Sequence, residues 1–254
     1  LIKIDNLSAL VITYNEAENL PGLLEGLDFA GEIIVVDSFS TDNTIEILKK
    51  YPHVSFVQRH FKNFSDQRNF ALSLAKNNWI LFTDADERIP DNLQREIAHK
   101  LQSPQDTIAY AIKRQFFFKD KPLRFSGYQS NKAIRLFRKD HGKYDHNKLV
   151  HEVPLISGKV KILKNKLDHY SYKDQVSYQK KIDSYARLRA QELFLMGLQP
   201  NAFHFYLKPA YRFVRHFILR LGFLDGRSGF IMSNLEAEGV KKRYQYLKAF
   251  YRTE

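Results

Sequence analysis

Four short apolar runs, at residues 8–12, 32–36, 54–57 and 79–82, alternate with helical patterning in the first part of the chain. Helices are expected at 17–27, from a Ser40 or Thr41 cap to about residue 50, and at 65–76. Strands and helices alternating at this length predict βαβ units and a mostly parallel sheet between helices. Such sheets bind ligands beyond the carboxyl ends of their strands. Polar residues stand at those ends here: Thr13, Tyr14, Asn15 and Glu16 after the first run, Asp37 after the second, and Thr83-Asp84-Ala85-Asp86-Glu87-Arg88 after the fourth. No G-x-G-x-x-G follows the first run and no G-x-x-x-x-G-K-[ST] occurs, so dinucleotide and P-loop readings lose their main support.

The run at 79–82 carries the most chemistry. Asp84 and Asp86 are spaced i, i+2, with Glu87 directly behind. Like charges at a strand mouth repel and are poorly solvated, so a cation must hold them together, and a divalent metal is the natural candidate. A metal there would grip a phosphate. The plainer alternative is helix capping or loop solvation, and a D-x-D pair alone is a short motif.

The chain has 254 residues, enough for one large core or one domain with an appendage. It contains no cysteine, which excludes disulfides and thiolate metal sites and fits a reducing compartment. No run reaches the ~18 apolar residues of a spanning helix, and no cleavable signal pattern opens the sequence. The formal net charge is +12, which favours anionic partners such as phosphorylated substrates, nucleic acid or acidic lipid. From residue 201 onward ten Lys and Arg face four Asp and Glu.

Beyond the α/β part, strands are expected at 108–118 and 133–138, with a hairpin around Gly158. Helices are expected at 176–196, 204–221 and 230–250. The expected division is a catalytic unit over 1–172 and a helical appendage over 173–254.

The runs LSALVITYNEAENL, IIVVDSFSTDNT, SDQRNFAL and WILFTDADERI occur in that order. Together they resemble inverting glycosyltransferases of family 2, which have the GT-A nucleotide-sugar-binding fold. The later VHEVP, HYSY and GFLDGRSGF resemble a subgroup that adds sugars to the lipopolysaccharide core, including β-1,4-glucosyltransferases. The resemblance implies a UDP-sugar donor, Mn²⁺ or Mg²⁺, and a lipid-linked or other cell-surface saccharide acceptor. It also implies work at the cytoplasmic face of the inner membrane.

Residue by residue, the resemblance puts Thr13, Tyr14, Asn15 and Glu16 in the loop where an aromatic ring packs on uracil. Asp37 matches the acid that contacts the nucleoside, and Asp66 and Arg68 the polar pair near base and phosphate. Asp84 and Ala85 face the ribose side of the D-x-D, and Asp86 is the metal ligand. The chemistry agrees: Tyr14 offers a flat face, Asp37 accepts hydrogen bonds, and Arg68 has a fork suited to phosphate. Each of these residues also has a structural alternative, as cap, capping aromatic or surface ion pair.

An inverting transfer needs a general base for the acceptor hydroxyl. The candidates are Asp145, His146, His151 and Glu152, with Glu152 favoured because the resemblance places its HE pair at the position of the family's catalytic acid residue. His169 is a candidate further metal ligand. Over 204–221, Lys208, Arg212, Arg215, His216 and Arg220 fall on one side, and Ala210, Phe213, Val214, Phe217, Ile218 and Leu221 on the other. The basic side suits an anionic membrane surface, and the alternative is a helix packing its apolar side on the catalytic domain. A processive synthase is disfavoured, since the sole Trp is Trp79. A non-catalytic RNA-binding protein is the other alternative, but nucleic acid is not the expected partner, because basic and aromatic residues do not interleave as on a recognition sheet.

Overall fold

The computed structural model describes residues 3–145, 153–172 and 175–252. The first strands and helices run β1 (Ile4–Thr13), α1 (Leu20–Glu25), β2 (Ala30–Asp37), α2 (Thr44–Leu48), β3 (Val54–Gln58), α3 (Phe64–Leu74), β4 (Trp79–Asp84), β5 (Glu87–Arg88) and α4 (Asp91–Gln102). Then follow β6 (Thr107–Phe118), β7 (Lys121–Leu123), β8 (Lys132–Arg138), β9 (Gly142–Lys143), β10 (Leu155–Ile156) and β11 (Lys159–Tyr172). The helices α5 (Gln175–Leu195), α6 (Lys208–Val214) and α7 (Gly226–Phe250) complete the chain. Two compact units emerge. One comprises Leu1–Arg114 and Lys132–His169, the other Gln115–Asn131 and Tyr170–Glu254.

The main sheet has the order β3-β2-β1-β4-β8-β6-β11-β5. β1 pairs in parallel with both β2 and β4, and β2 with β3. β8 runs antiparallel to β4 and β6, and β5 antiparallel to β11. Alternation along the strands sorts the first unit's core into two layers. Leu7, Ala9 and Val11 of β1, Ile33 and Val35 of β2, and Trp79 and Leu81 of β4 pack with Leu20, Leu24, Leu93 and Ile97 of α1 and α4. Leu10, Ile34, Val36, Ile80 and Phe82 point the other way, to Ala71 and Leu72 of α3. A one-residue slip would exchange the two sets, so the register is firmly held. That register sets Thr13 beside Asp37, and Ile12 beside Asp84.

The helices differ from their sequence pattern where loop chemistry intervenes. α1 starts only at Leu20, behind Asn19 and with Pro21 in its first turn. α2 begins at Thr44 rather than after Ser40, because Ser40 is engaged by Asp37 and the Asp42 carboxylate accepts from Thr44 N. Gly158 does not close a hairpin: β10 pairs with β9 in a separate two-stranded sheet, while β11 joins the main one.

In the second unit, the end of β6 turns back through Lys119 and Asp120, both left-handed, to pair with β7. α5 and α7 enclose Tyr178, Met232 and Leu235 at one end and Ala190, Leu193, Tyr244 and Leu247 at the other. Gly229 of α7 lies against the Gly222 carbonyl, leaving no room for a Cβ. A continuous helical stretch joins a π turn at Phe203–Leu207, α6, and a second π turn at Arg215–Leu219. Its basic side turns inward. Arg212 pairs with Glu236 at 2.7 Å, Lys208 Nζ donates to Tyr244 Oη at 2.9 Å, and His216 is buried. The expected arrangement, with the basic side open to an anionic surface or to water, is therefore reversed.

Candidate active site

Two loops at the carboxyl ends of β1 and β2 are stitched together. Asn15 takes a left-handed backbone, φ 55°, which Asn tolerates better than most residues. Its side-chain oxygen accepts from Thr41 N at 2.7 Å, and its own N–H donates to Ser40 Oγ at 2.8 Å. Glu16 N donates to Thr44 Oγ1 at 3.0 Å, and Ala17 N to Asp42 Oδ2 at 3.1 Å. Thr13 is buried, with its carbonyl accepting from Ser38 N at 2.9 Å. Tyr14 is 56% exposed, so its ring face is open for stacking.

Asp37 is fully buried. It accepts from Ser40 N–H at 3.0 Å, from the Ser40 hydroxyl and from Gln58 Nε2 at 2.9 Å. Sequence reasoning missed Ser40 and Gln58 as its partners. Gln67 was missed as well: it is buried in α3 and reaches Ser38 Oγ at 3.1 Å, tying that helix to the loop after β2. Asn63 caps α3 by accepting from Asp66 N at 2.8 Å. The Asp66 carboxylate pairs with Arg59 at 2.8 Å.

Arg68 points from α3 to β4, 3.1 Å from Asp84 Oδ1. Arg135 of β8 binds the other oxygen of Asp84 and also Glu87 Oε1, the latter at 2.6 Å. Glu87 is fully buried, accepts from Asp84 N at 3.1 Å and lies 3.9 Å from Arg114. The cation between Asp84 and Glu87 is thus a guanidinium. The signal for it was a charged residue inside the apolar run A-I-R-L-F, where charges are rarely buried unpaired. Burial pushes the Asp84 carboxyl up, but Arg135 and Arg68 outweigh it and hold it well below the ordinary carboxylate range. Burial likewise raises Glu87 against the pull of Arg135, with Asp84 adding to the rise. Burial works against the Arg135 charge, and the two carboxylates more than restore it.

Asp86 follows on the far side of Ala85, near enough to the cluster for its charge to add to the rise of Glu87. Ala85 between the two aspartates is buried, and its carbonyl accepts from Arg88 at 2.9 Å. β5 pairs with β11 so that His169 stands opposite Glu87, and His169 Nε2 comes within 3.2 Å of Asp86 Oδ2. Carboxylate and imidazole together form a donor pair that Mn²⁺ accepts. Among the described residues no group of three acidic or histidine side chains forms a metal cage. A cation held by these two side chains alone would have to take its remaining ligands from substrate and water.

Of the candidate bases, Asp145 follows Tyr144, whose backbone is held from both sides by Asn69 of α3, at 3.0 and 2.9 Å. His146, His151 and Glu152 lie outside the described residues.

The sequence profile described as Glycosyl transferase family 2 matches residues 8–165. The chain belongs to that family. A relative in Rickettsia conorii (strain ATCC VR-613 / Malish 7), an uncharacterized glycosyltransferase, is 30% identical over 242 residues, spanning 90% of this chain and 85% of its own. The lipopolysaccharide core biosynthesis glycosyltransferase LpsC of Rhizobium meliloti (strain 1021) is 24% identical over 250 residues, 94% of this chain and 93% of its own. Among solved structures, the mannosyltransferase PcManGT from Pyrobaculum calidifontis, in complex with GDP-Man and Mn²⁺, superposes with a TM-score of 0.56 at 13% identity. That match covers 98% of this chain and 88% of that one. The fold is GT-A, and this family-2 protein is a glycosyltransferase.

Proposed function

We propose that this family-2 enzyme moves a hexose from a UDP-sugar to a lipid-linked saccharide such as lipopolysaccharide core, by a single metal-assisted displacement with inversion. The observation that carries the reading is the Asp86–His169 pair, set directly after the strand that ends on Asp84. Asp86 and His169 would hold Mn²⁺ or Mg²⁺. When bound, the ion would neutralise the charge that develops on the departing diphosphate.

The chain's own residues supply the rest. Tyr14 stacks on the base, and Asp84, kept ionised by its arginines, accepts from a ribose hydroxyl. Arg68 keeps that acceptor ionised from the α3 side. Glu152 withdraws the acceptor's proton, with Asp145 and His151 the alternatives for that step. The acceptor class is supported by the similarity to LpsC along nearly the whole chain.

Calorimetric titration of nucleotide sugars with and without Mn²⁺ tests the proposal. UDP-sugars should bind with metal-dependent affinity, and Asp86→Ala should abolish the metal-dependent part while leaving the thermal melt intact. Unchanged metal-dependent affinity in the variant would overturn the metal assignment. A preference for GDP-sugars would overturn the donor.

A further inference from the structure

The helical stretch Phe203–Leu207, α6 and Arg215–Leu219 presents an unusual surface. Every exposed residue in it is apolar or aromatic. Leu207, Tyr211, Val214 and Ile218 follow the i, i+4, i+7, i+11 spacing of one stripe, at 60%, 61%, 40% and 51% exposure. Tyr206 and Leu219 flank it, 74% and 66% exposed. Phe223 and Leu224 extend the apolar surface past the helix, and both are exposed. A water-facing helix normally shows the opposite pattern, and contiguous apolar patches of this kind mark an interaction surface.

Charge identifies the occupant. Among the described residues from 201 onward, the charged residues most open to solvent are Arg227, Lys241, Lys248 and Arg252, while Asp225, Glu236 and Glu238 are partly covered. The described acids there have partners of their own: Glu236 binds Arg212 and Tyr178, Asp225 accepts from Arg124 N and Phe125 N, and Glu238 faces Lys242 at 3.7 Å. Lys241, Lys248 and Arg252 line one groove together with Tyr206 of the apolar surface. An apolar stripe edged by tyrosines, beside a cluster of unopposed cations, matches the boundary between acyl chains and acidic headgroups.

We infer that this face of the second unit seats in the surface of a bilayer carrying anionic lipid. Leu207, Tyr211, Val214 and Ile218 enter the acyl boundary, and Lys241, Lys248 and Arg252 meet headgroup phosphates. The orientation is the reverse of the one the helix sequence implies: its Lys208 and Arg212 bind α7, and the cations facing lipid come from α7 and the residues after it. The inference stands on the second unit alone and does not depend on which donor or acceptor the enzyme uses.

Flotation of the full chain with vesicles tests it. One set is phosphatidylcholine alone, the other phosphatidylcholine with phosphatidylglycerol. The chain should float with the second set and far less with the first. Ile218→Asp combined with Leu219→Asp should lower partitioning by roughly tenfold or more. Lys241→Glu combined with Lys248→Glu should lower it by about fivefold or more per charge. Circular dichroism and thermal melts should match the unaltered chain. Should the aspartate pair fail to fold, Leu207→Ser with Tyr211→Ser serves in its place. Two results would overturn the inference: no flotation with the anionic vesicles, or flotation undiminished by the apolar-face substitutions. A lipid-free dimer that those same substitutions dissociate would also overturn it, by assigning the face to a second copy.

Discussion

Arg135 holds Asp84 and Glu87 together at the end of β4. Removing one partner of a buried ion cluster leaves the others uncompensated, which costs about 3–5 kcal/mol. Arg135→Ala should therefore lower unfolding stability by that order in urea titrations, and Arg135→Lys should recover part of it. A loss below about 1 kcal/mol would mean that Arg68 and Arg114 suffice for Asp84 and Glu87. For the chemical step, Glu152→Gln should leave donor binding in place and slow sugar transfer by ~10²–10⁴-fold. A near-normal rate in that variant would move the base to Asp145 or His151. Tyr14, Asn15, Asp37, Asp84 and Asp86 were legible because each stands at or just past the end of an apolar run. Arg135, Gln58 and Gln67 were not, because their partners lie 21 to 51 residues away and only the sheet register unites them. His169 could be named as a candidate, but its meeting with Asp86 depends on β5, a two-residue strand too short to read from periodicity.

At the scale of elements, the alternating β/α pattern of the first hundred residues located the first four strands. Helix ends were harder, because Pro21 and the Asp42 cap decide them locally. The helix over 203–219 was found, but its inward side was assigned the wrong way round. Periodicity reports that two faces differ, and only the neighbour, here Glu236 and Tyr244 on α7, decides which face is covered. The approach of α7 to the turn before it gives a sharp test. A Cβ on Gly229 would lie 1.8 Å from the Gly222 carbonyl oxygen, a backbone atom with little freedom to move. Gly229→Ala should destabilise the second unit by about 1–3 kcal/mol or more, as overpacking does. Differential scanning calorimetry should show a lowered transition, and an unchanged one would mean that the turn relaxes freely.

For the molecule as a whole, acid stability should fall in stages. His216 is buried with neither ring nitrogen hydrogen-bonded. Burial pushes its pKa down to about 4, helped by Arg212, Arg220 and Arg215 and opposed by Glu236. The folded state thus disfavours a proton that the unfolded chain takes up near the ordinary histidine value of about 6.5. Stability from this group is complete above that value and drains away as pH falls towards 4, by roughly 2–3 kcal/mol. Urea midpoints measured from pH 7.5 to 4 should decline across that window, and His216→Phe should flatten the decline. If the slope is the same in both, other groups govern it. Asp84 behaves differently: its pKa is depressed, so its contribution persists below the histidine window and is lost only in stronger acid.

The antiparallel insertion of β8 between β4 and β6 also has a consequence for how the protein is made. A ribosome delivers Asp84 and Glu87 51 and 48 residues ahead of Arg135. Until that arginine emerges, the nascent β4 edge is open and two acids at its end lack their main counter-charge. The loops after β1 and β2 can take shape early, but the buried Asp84–Arg135–Glu87 cluster sets only when the eighth strand arrives. Slow translation over residues 88–135 would therefore prolong a sticky, half-charged intermediate, the stage at which a chaperone has most to offer.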